Sequence, residues 1–409
     1  MRSVLRPLFS LYHYLWSFVS AIIFQFPSRH IRVIGVTGTK GKTTTVALLA
    51  HIFSSAGLPA QAGKQSAYLS SALMSDGISL TKNKTGNSMP GRFFIQQFLR
   101  TAVHAQSSYA FIEVTSQGTV QHRHRFIRWA GVVFLDIHPE HIESHGSFQK
   151  YLLAKRELFS YARAHSHGAV FYINKDDSHA NDFISAAGNE KKILFSSASP
   201  EIKDVLCPAL PGPFNTINIA AAYAIAREEG ICHADIIAAL NTFSGVPGRM
   251  EFITHEPFEV VVDYAHTPES LEAVYQYLRG RVLSRGGKLI CVLGSAGGGR
   301  DVWKRTAMGK HAGDYCDEIV LTNEDPWDED PEKIVAMVHE GIKSSEKYNA
   351  QQVRVVMDRK DAITAAIAMA RERDVVVLTG KGSESWIHVA GGKKISWSER
   401  DVVKEILNK

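Results

Sequence analysis

The run Gly35-Val-Thr-Gly-Thr-Lys-Gly-Lys42-Thr43-Thr-Thr45 restricts what this chain can become more than any other stretch. Before it stands Ile31-Arg-Val-Ile34, a short apolar run that reads as a buried strand. After it stands Val46-Ala-Leu-Leu-Ala-His-Ile-Phe53, of helix length and apolar on one face. A strand that turns through glycines into a helix headed by Gly-Lys-Thr is a phosphate cradle. Backbone N–H groups and the positive helix end face the phosphates, Lys42 reaches the outer ones, and the Thr43 hydroxyl can hold Mg²⁺. Gly38, Thr39, Lys40, Gly41, Lys42, Thr43 and Thr44 are the expected nucleotide contacts. A strict pattern of this kind asks for glycine at position 36, which here is Val36; the glycines stand at 35, 38 and 41 instead.

The chain has 409 residues, more than one core usually serves, so two or three domains are expected. Apolar residues make up 45% and charged residues 21%, as in ordinary soluble proteins. The net charge of +5 reads as mild and spread along the chain, without a basic arm for nucleic acid, and it suits anionic nucleotide substrates. Cys207, Cys232, Cys291 and Cys316 lie far apart. This excludes a Cys-x-x-Cys zinc site and a disulfide framework, and fits reduced thiols in a cytosolic protein.

Pro7 to Phe26 contains no Lys, Arg, Asp or Glu and is rich in aromatics. Its length is near the ~20 residues that span a bilayer. A secretory signal would carry the phosphate cradle away from its nucleotide, and no small-residue cleavage site follows. A spanning helix would leave Arg2 and Arg6 outside, against the positive-inside tendency. A helix lying on a membrane surface, or docked on the next domain, avoids both conflicts, and Trp16 and the tyrosines suit either. Pro27-Ser28 ends this segment.

Gly57-Leu-Pro59 makes a turn, residues 60–90 are polar and mixed with a connecting loop at Thr85 to Gly91, and an amphipathic helix runs from Arg92 to Ala105. In Ala110-Phe-Ile-Glu113-Val-Thr-Ser-Gln-Gly118 a hydrophobic strand delivers Glu113 near its end. There a carboxylate either serves a metal or a water, or is simply solvated. The strand Ala130 to Leu135 leads into Asp136-Ile-His-Pro-Glu-His141-Ile-Glu-Ser-His145, whose spacing fits no zinc pattern. In the helix that follows, Lys155 taken alone reads as solvated.

In order, Gly-x-Thr-Gly-Thr-x-Gly-Lys-Thr-Thr, Glu-Val-Thr-Ser, Glu-His-Ile-Glu-Ser-His-Gly and Tyr-x-x-Ala-Lys-x-x-Leu-Phe resemble the motifs of the Mur ligase family. Val120-Gln-His-Arg123 is similar to its tripeptide synthetase branch, which adds the third residue of the peptidoglycan stem. The resemblance runs from Ile31 to the C-terminus. It implies an ATP-dependent, ADP-forming amide ligase. The acceptor carboxylate would become an acyl phosphate and then be attacked by an amino acid. Thr43 and Glu113 would hold one Mg²⁺, and His141 with a carbamylated Lys155 a second. Lys42, Glu113, His141 and Lys155 would form the catalytic set. Ser88, Met89, Thr115, Gln121 and Arg123 would contact the UDP-muramoyl-peptide-like acceptor, and Asn215 the adenine. Ser88-Met89 stands where the family has Thr-Thr, Thr115-Ser-Gln117 where it has Ser-Ser-His, and Glu140-His-Ile-Glu143 where it has Asp-His-Leu-Asp.

Gly245-Val-Pro-Gly248 marks a boundary and an expected hinge. Beyond it, strands at 258–263, 288–294, 317–322 and 374–380 alternate with helical stretches, a Rossmann-like pattern. The glycines at 297–299 lack the dinucleotide fingerprint, which argues against a nicotinamide cofactor. The expected fold is therefore α/β. It comprises an apolar helix over 1–30, a P-loop central ATPase domain with a parallel-rich sheet over 31–246, and a C-terminal Rossmann-like α/β domain over 247–409. The resemblance assigns Arg249 and Asp263 to ATP, and Arg300, Gly380 and Glu384 to the incoming amino acid. Glu324-Asp325-Pro326-Trp327 replaces the family's Asp-Asn-Pro-Arg, so two acids and no cation are offered. That suits an amino acid ending in an amine, such as lysine, better than diaminopimelate. Ser383 replaces the family's His in Gly-Lys-Gly-His-Glu. The family's UDP-binding front domain is expected to be missing, with uridine binding lost, supplied by another chain, or replaced by a lipid-linked acceptor. The expected location is the cytoplasm, peripheral at the inner membrane face. A polyglutamate-type ligase and a non-catalytic, ATP-binding regulator of wall synthesis are the alternatives.

Overall fold

The structure is a computed structural model that describes residues 2–56, 66–140, 142–203, 205–299 and 301–408, with residues 2–7 described by their backbone. The chain divides into two compact units, Met1–Ser244 and Gly245–Lys409.

The first unit is built on an eight-stranded sheet. Its strands are β1 (Arg32–Thr37), β2 (Ala67–Leu69), β3 (Leu73–Ser75), β4 (Leu80–Lys82), β5 (Tyr109–Glu113), β6 (Trp129–Phe134), β7 (Val170–Asn174) and β8 (Lys192–Phe195). They lie in the order β4-β3-β2-β5-β1-β6-β7-β8. All pairings are parallel except those of β2 with β3 and β3 with β4. The near-continuous apolar runs of β5, β6 and β7 follow from burial on both faces of a parallel sheet. Gly35 in β1 has no side chain because a Cβ there would stand 2.7 Å from the Trp129 ring.

Within the polar and mixed stretch 60–90, residues 67–82 form the short strands β2 to β4 at the sheet edge, which the sequence did not show, while the turn expected at Gly57-Leu-Pro59 lies outside the described residues. Three residues per strand are too few to show the two-residue alternation by which a strand is read from sequence. Chain order places β1 between β5 and β6, the point where connections depart to opposite sides of the sheet. Ligands of open α/β sheets collect at the carboxyl ends of strands at such a point.

The helix Arg2–Ile23 packs along the helix Arg92–His104, and the short helix Pro27–Arg29 follows it. Among the described residues no helix is long and apolar enough to cross a membrane.

The second unit carries β9 (Glu251–Thr254), β10 (Glu259–Val262), β11 (Leu289–Leu293), β12 (Glu318–Leu321), β13 (Val353–Val355) and β14 (Val375–Leu378). Their order is β13-β12-β11-β14-β10-β9, parallel except for β9 against β10. Val260, Val262, Ile290, Val292, Val376 and Leu378 pack with Ile363 and Ala366 in one core. A hairpin of β15 (Trp386–Val389) and β16 (Lys393–Ser396) completes the unit.

Candidate active site

The phosphate loop sits at the carboxyl end of β1, and the helix Lys42–Ser55 starts from it. Gly41 turns the loop with φ 77°, and a Cβ there would meet Asn218 Oδ1 at 2.1 Å; glycine alone satisfies both demands. Lys42 folds back over the loop and donates to the carbonyls of Gly38 at 2.8 Å and Thr39 at 2.9 Å. The N–H groups of Thr39 and Lys40 donate to Asp136 Oδ1 at 2.6 and 2.9 Å, so a carboxylate from the end of β6 braces the loop.

Thr43 and Glu113 meet through a third residue. Thr43 Oγ1 lies 2.8 Å from Ser71 Oγ, and the Ser71 N–H donates to Glu113 Oε1 at 2.8 Å. Glu113 is the last residue of β5 and is buried, so the solvated reading of it falls. A hydroxyl and a buried carboxylate beside a phosphate loop fit Mg²⁺, which takes oxygen ligands from protein and phosphates together. Thr44 and Thr45 are buried in the first turn of the helix, and Thr45 Oγ1 donates to Asn218 Oδ1 at 3.3 Å. Asn218 in turn donates to Asn215 at 3.1 Å, which ties Asn215 to the loop.

Lys155 is 2% exposed rather than solvated, and donates to the Gly38 carbonyl at 2.5 Å with its ammonium 4.7 Å from the centre of the Tyr151 ring. Burial, reinforced by Lys42, drives its pKa well below the usual lysine value against the pull of Asp136 and Glu140. The neutral amine so favoured is the form that can take up carbon dioxide as a carbamate. Thr39 Oγ1 lies 3.1 Å from the Tyr151 hydroxyl. His141 lies outside the described residues, and among the described residues no group of three or more His, Cys, Asp or Glu is placed to hold a metal ion.

A second cluster gathers the expected acceptor residues. Arg123 donates to Gln121 Oε1 at 2.6 Å and to the Met89 carbonyl. Thr115 caps the helix Ser116–Val120 by accepting from the Gly118 N–H at 3.1 Å, and a Cβ on Gly118 would collide with the Met89 sulfur at 2.2 Å. Ser88 precedes Met89 in the same loop. His145 Nε2 reaches Ser116 Oγ at 3.0 Å.

In the second unit the carboxyl ends of β10, β12 and β14 carry the expected residues. The Asp263 carboxylate accepts from the N–H groups of Met250 at 2.6 Å and Ala265 at 2.7 Å. Burial raises its pKa although Arg249 and those bonds oppose it. Arg249 lies over the Tyr264 ring, 4.0 Å from its centre. Glu324 is buried, which raises its pKa, and among the described residues its Oε2 has no hydrogen-bond partner. Gly380, at φ 101°, leaves room for that carboxylate, since a Cβ would stand 2.1 Å from Oε2.

The reading of Glu324-Asp325-Pro326-Trp327 as two acids without a cation needs correction. Lys381 donates to both oxygens of Asp325 at 2.9 Å and to Glu384 Oε2 at 2.5 Å. Asp325 is therefore neutralised by a residue far along the chain, and Glu324 remains as the acid of that run. Trp327 stacks on His388 with ring centres 4.2 Å apart, and the Gly297 N–H donates to the Asp325 carbonyl at 2.7 Å beside Pro326. The Tyr264 hydroxyl donates to Glu384 at 3.1 Å. Arg300 lies outside the described residues.

Sequence reasoning passed over Ser71, Asp136, Asn218, Lys381 and His388. Asp136 and Lys381 each carried a signal, as a charged residue within three positions of the end of an apolar strand. Ser71 and His388 carried none.

Together the two units define a P-loop nucleotide-binding domain and an α/β domain with a cluster of charged side chains at the carboxyl edge of its sheet. Residues 36–207 match the Mur ligase middle domain, and residues 248–382 match the Mur ligase glutamate ligase domain. The chain is 32% identical to the UDP-N-acetylmuramoyl-L-alanyl-D-glutamate--2,6-diaminopimelate ligase of Aquifex aeolicus, over 94% of this chain and 79% of that one. It is 34% identical to the UDP-N-acetylmuramyl-tripeptide synthetase of Borreliella burgdorferi, over 95% and 78%. A solved UDP-N-acetylmuramoyl-L-alanyl-D-glutamate--2,6-diaminopimelate ligase is similar with a TM-score of 0.60 at 27% identity, covering 92% of this chain and 78% of that one. Folylpolyglutamate synthase of Mycobacterium tuberculosis, at TM-score 0.66 and 17% identity over 88% of this chain and 91% of that one, shares the fold alone. The chain belongs to the Mur ligase family.

Proposed function

We propose that this protein uses ATP to join an amino acid to the carboxylate of a UDP-muramoyl-peptide-like acceptor during peptidoglycan precursor synthesis. The observation that carries the reading is the convergence of Lys42, Lys155 and the Thr43–Ser71–Glu113 chain on one phosphate loop. The Aquifex aeolicus and Borreliella burgdorferi relatives are named for substrates of this class.

In this reading the loop amides and Lys42 bind the ATP phosphates and spread the charge that develops as the acceptor carboxylate attacks the γ-phosphate. Asn215 serves the adenine side, and Arg249 and Asp263 serve the ATP phosphate and ribose. Thr43 and Glu113 would hold Mg²⁺, and Lys155, as a carbamate, would with His141 hold a second ion. When bound, Mg²⁺ supplies a Lewis acid that neutralises phosphate charge. Arg123, Gln121, Thr115, Met89 and Ser88 orient the acceptor. Glu384, Gly380 and Arg300 place the amino acid whose amine then attacks the acyl phosphate. Glu324 favours a substrate side chain ending in an amine, and Trp327 stands where a carboxylate-reading Arg would be needed for diaminopimelate. Use of ATP places this work in the cytoplasm.

The test is phosphate release from the purified protein with Mg-ATP, UDP-muramoyl-dipeptide and each amino acid in turn. Release is expected to require both acceptor and amino acid, with lysine or ornithine as the productive partner. Release independent of both would sink the ligase reading, and release with diaminopimelate alone would overturn the side-chain preference while keeping the ligase.

A further inference from the structure

We propose that the outward face of the helix Arg2–Ile23 seats the protein on an anionic lipid surface. The helix is docked with the opposite polarity to an ordinary surface helix, which buries its apolar stripe. Its inward residues are small: Ser17, Ser20 and Ala21 are at most 1% exposed. Ser17 donates to the His122 carbonyl at 2.9 Å, Ser20 to the Arg92 carbonyl at 3.5 Å, and Ser10 Oγ lies 2.8 Å from His122 Nε2. Leu8, Leu11, Tyr12, Leu15, Val19 and Ile22 form one stripe at helical spacing on the other side and are 38–63% exposed. Trp16 beside Phe93, and Tyr14 and Phe18 beside Phe126, flank the stripe. Aromatics of this kind sit well at the boundary between lipid headgroups and tails. Among the described residues no helix is long and apolar enough to cross a membrane, so the helix would lie on the bilayer.

Charge selects the occupant. The net charge is not spread along the chain. Residues 1–135 hold fourteen Lys and Arg against two acids, Asp76 and Glu113, while the remainder holds thirty-two against thirty-nine. Arg29 and Arg128 are exposed beside the end of the helix, where the Arg128 N–H donates to Ser28 Oγ at 3.0 Å. An apolar stripe without acids, set in a cationic surround, matches anionic headgroups. A second copy would bring the same cationic surround to face itself. The helix also holds His122, next to Arg123. Under the ligase reading the acceptor residues would therefore stand close to the bilayer; vesicle binding itself does not depend on that reading.

The experiment is co-sedimentation of the full-length chain, without substrates, with vesicles of phosphatidylcholine containing phosphatidylglycerol and with vesicles of phosphatidylcholine alone. Binding is expected to the anionic vesicles and to weaken with salt. The triple variant Leu11→Glu, Leu15→Glu, Val19→Glu should lower the bound fraction by about tenfold or more. The double variant Arg29→Glu, Arg128→Glu should lower it on anionic vesicles without touching the apolar stripe. These positions are exposed, so the thermal midpoint without vesicles should stay put, and the double variant keeps the test open if the triple variant misfolds. Absence from both vesicle pellets would overturn the proposal, as would undiminished binding of the folded triple variant. A dimer in lipid-free solution that the triple variant dissolves, with no vesicle binding, would also overturn it and give the face to a second copy.

Discussion

Lys381 holds its ammonium 2.9 Å from each carboxylate oxygen of Asp325, fifty-six residues earlier in the chain. The same nitrogen reaches Glu384, so one buried cation organises two of the residues assigned to the amino-acid pocket. Burial works against its charged form, but Glu384 and Asp325 outweigh it and raise the pKa above the usual lysine value.

Replacing Lys381 by Met leaves the Asp325 carboxylate without its buried counter-charge. The expected cost is about 3–5 kcal/mol in denaturant unfolding. Adding Asp325→Asn should recover part of it, because the uncompensated charge goes too. The ion pair contributes fully below the unfolded lysine pKa of 10.5 and is lost only as pH rises through the higher folded value. The difference between parent and variant should therefore hold through the neutral range. Equal stabilities of the single and double variants would refute the pairing.

Lys42→Ala should lower ATP-dependent phosphate release by about 10²–10³-fold, as expected for a donor aimed at developing charge. Ser71→Ala removes the hydroxyl beside Thr43 but keeps the backbone N–H that holds Glu113. Its expected loss is about tenfold or less, with a higher Mg²⁺ requirement. Magnesium titrations of both variants check the ranking.

His122 sets an acid limit on the docking of the first helix. Burial, then the nearby Arg125 and His124, bring its pKa down from 6.5 to about 4. The neutral ring is favoured in the fold, so its stabilising share is complete above pH 6.5 and fades as pH falls toward about 4. His122→Gln should flatten that acid limb of the unfolding midpoint. The ring is only partly buried and so partly screened by solvent, and a shallow slope is expected.

Glu324→Gln should raise KM for a lysine-type substrate by about tenfold to a hundredfold with kcat little changed, since the carboxylate contributes to binding rather than to chemistry. Steady-state kinetics with saturating ATP and acceptor separate the two parameters. A fall in kcat at constant KM would remove Glu324 from side-chain recognition.

The phosphate loop, the strand-end Glu113 and the alternation of strands and helices were readable in the chain because each is a local pattern. The loop needs glycines and a Lys at fixed spacing, and buried parallel strands need unbroken apolar runs. Gly41 shows how far this goes: the residue type announces a left-handed turn, whereas the 2.1 Å approach to Asn218 is a meeting of segments distant in sequence.

Tertiary structure alone decided the rest. It buried Lys155 against Gly38 and drove its pKa down, inserted Ser71 between Thr43 and Glu113, and cancelled the charge of Asp325 with Lys381. Composition showed that the first helix is apolar. Only the contacts at Arg92 and His122 determined that its serines turn inward and its leucines outward. The physical reason is common to all of these cases. Desolvation and charge pairing depend on which groups the fold brings within a few ångströms, and no spacing along the chain encodes that distance.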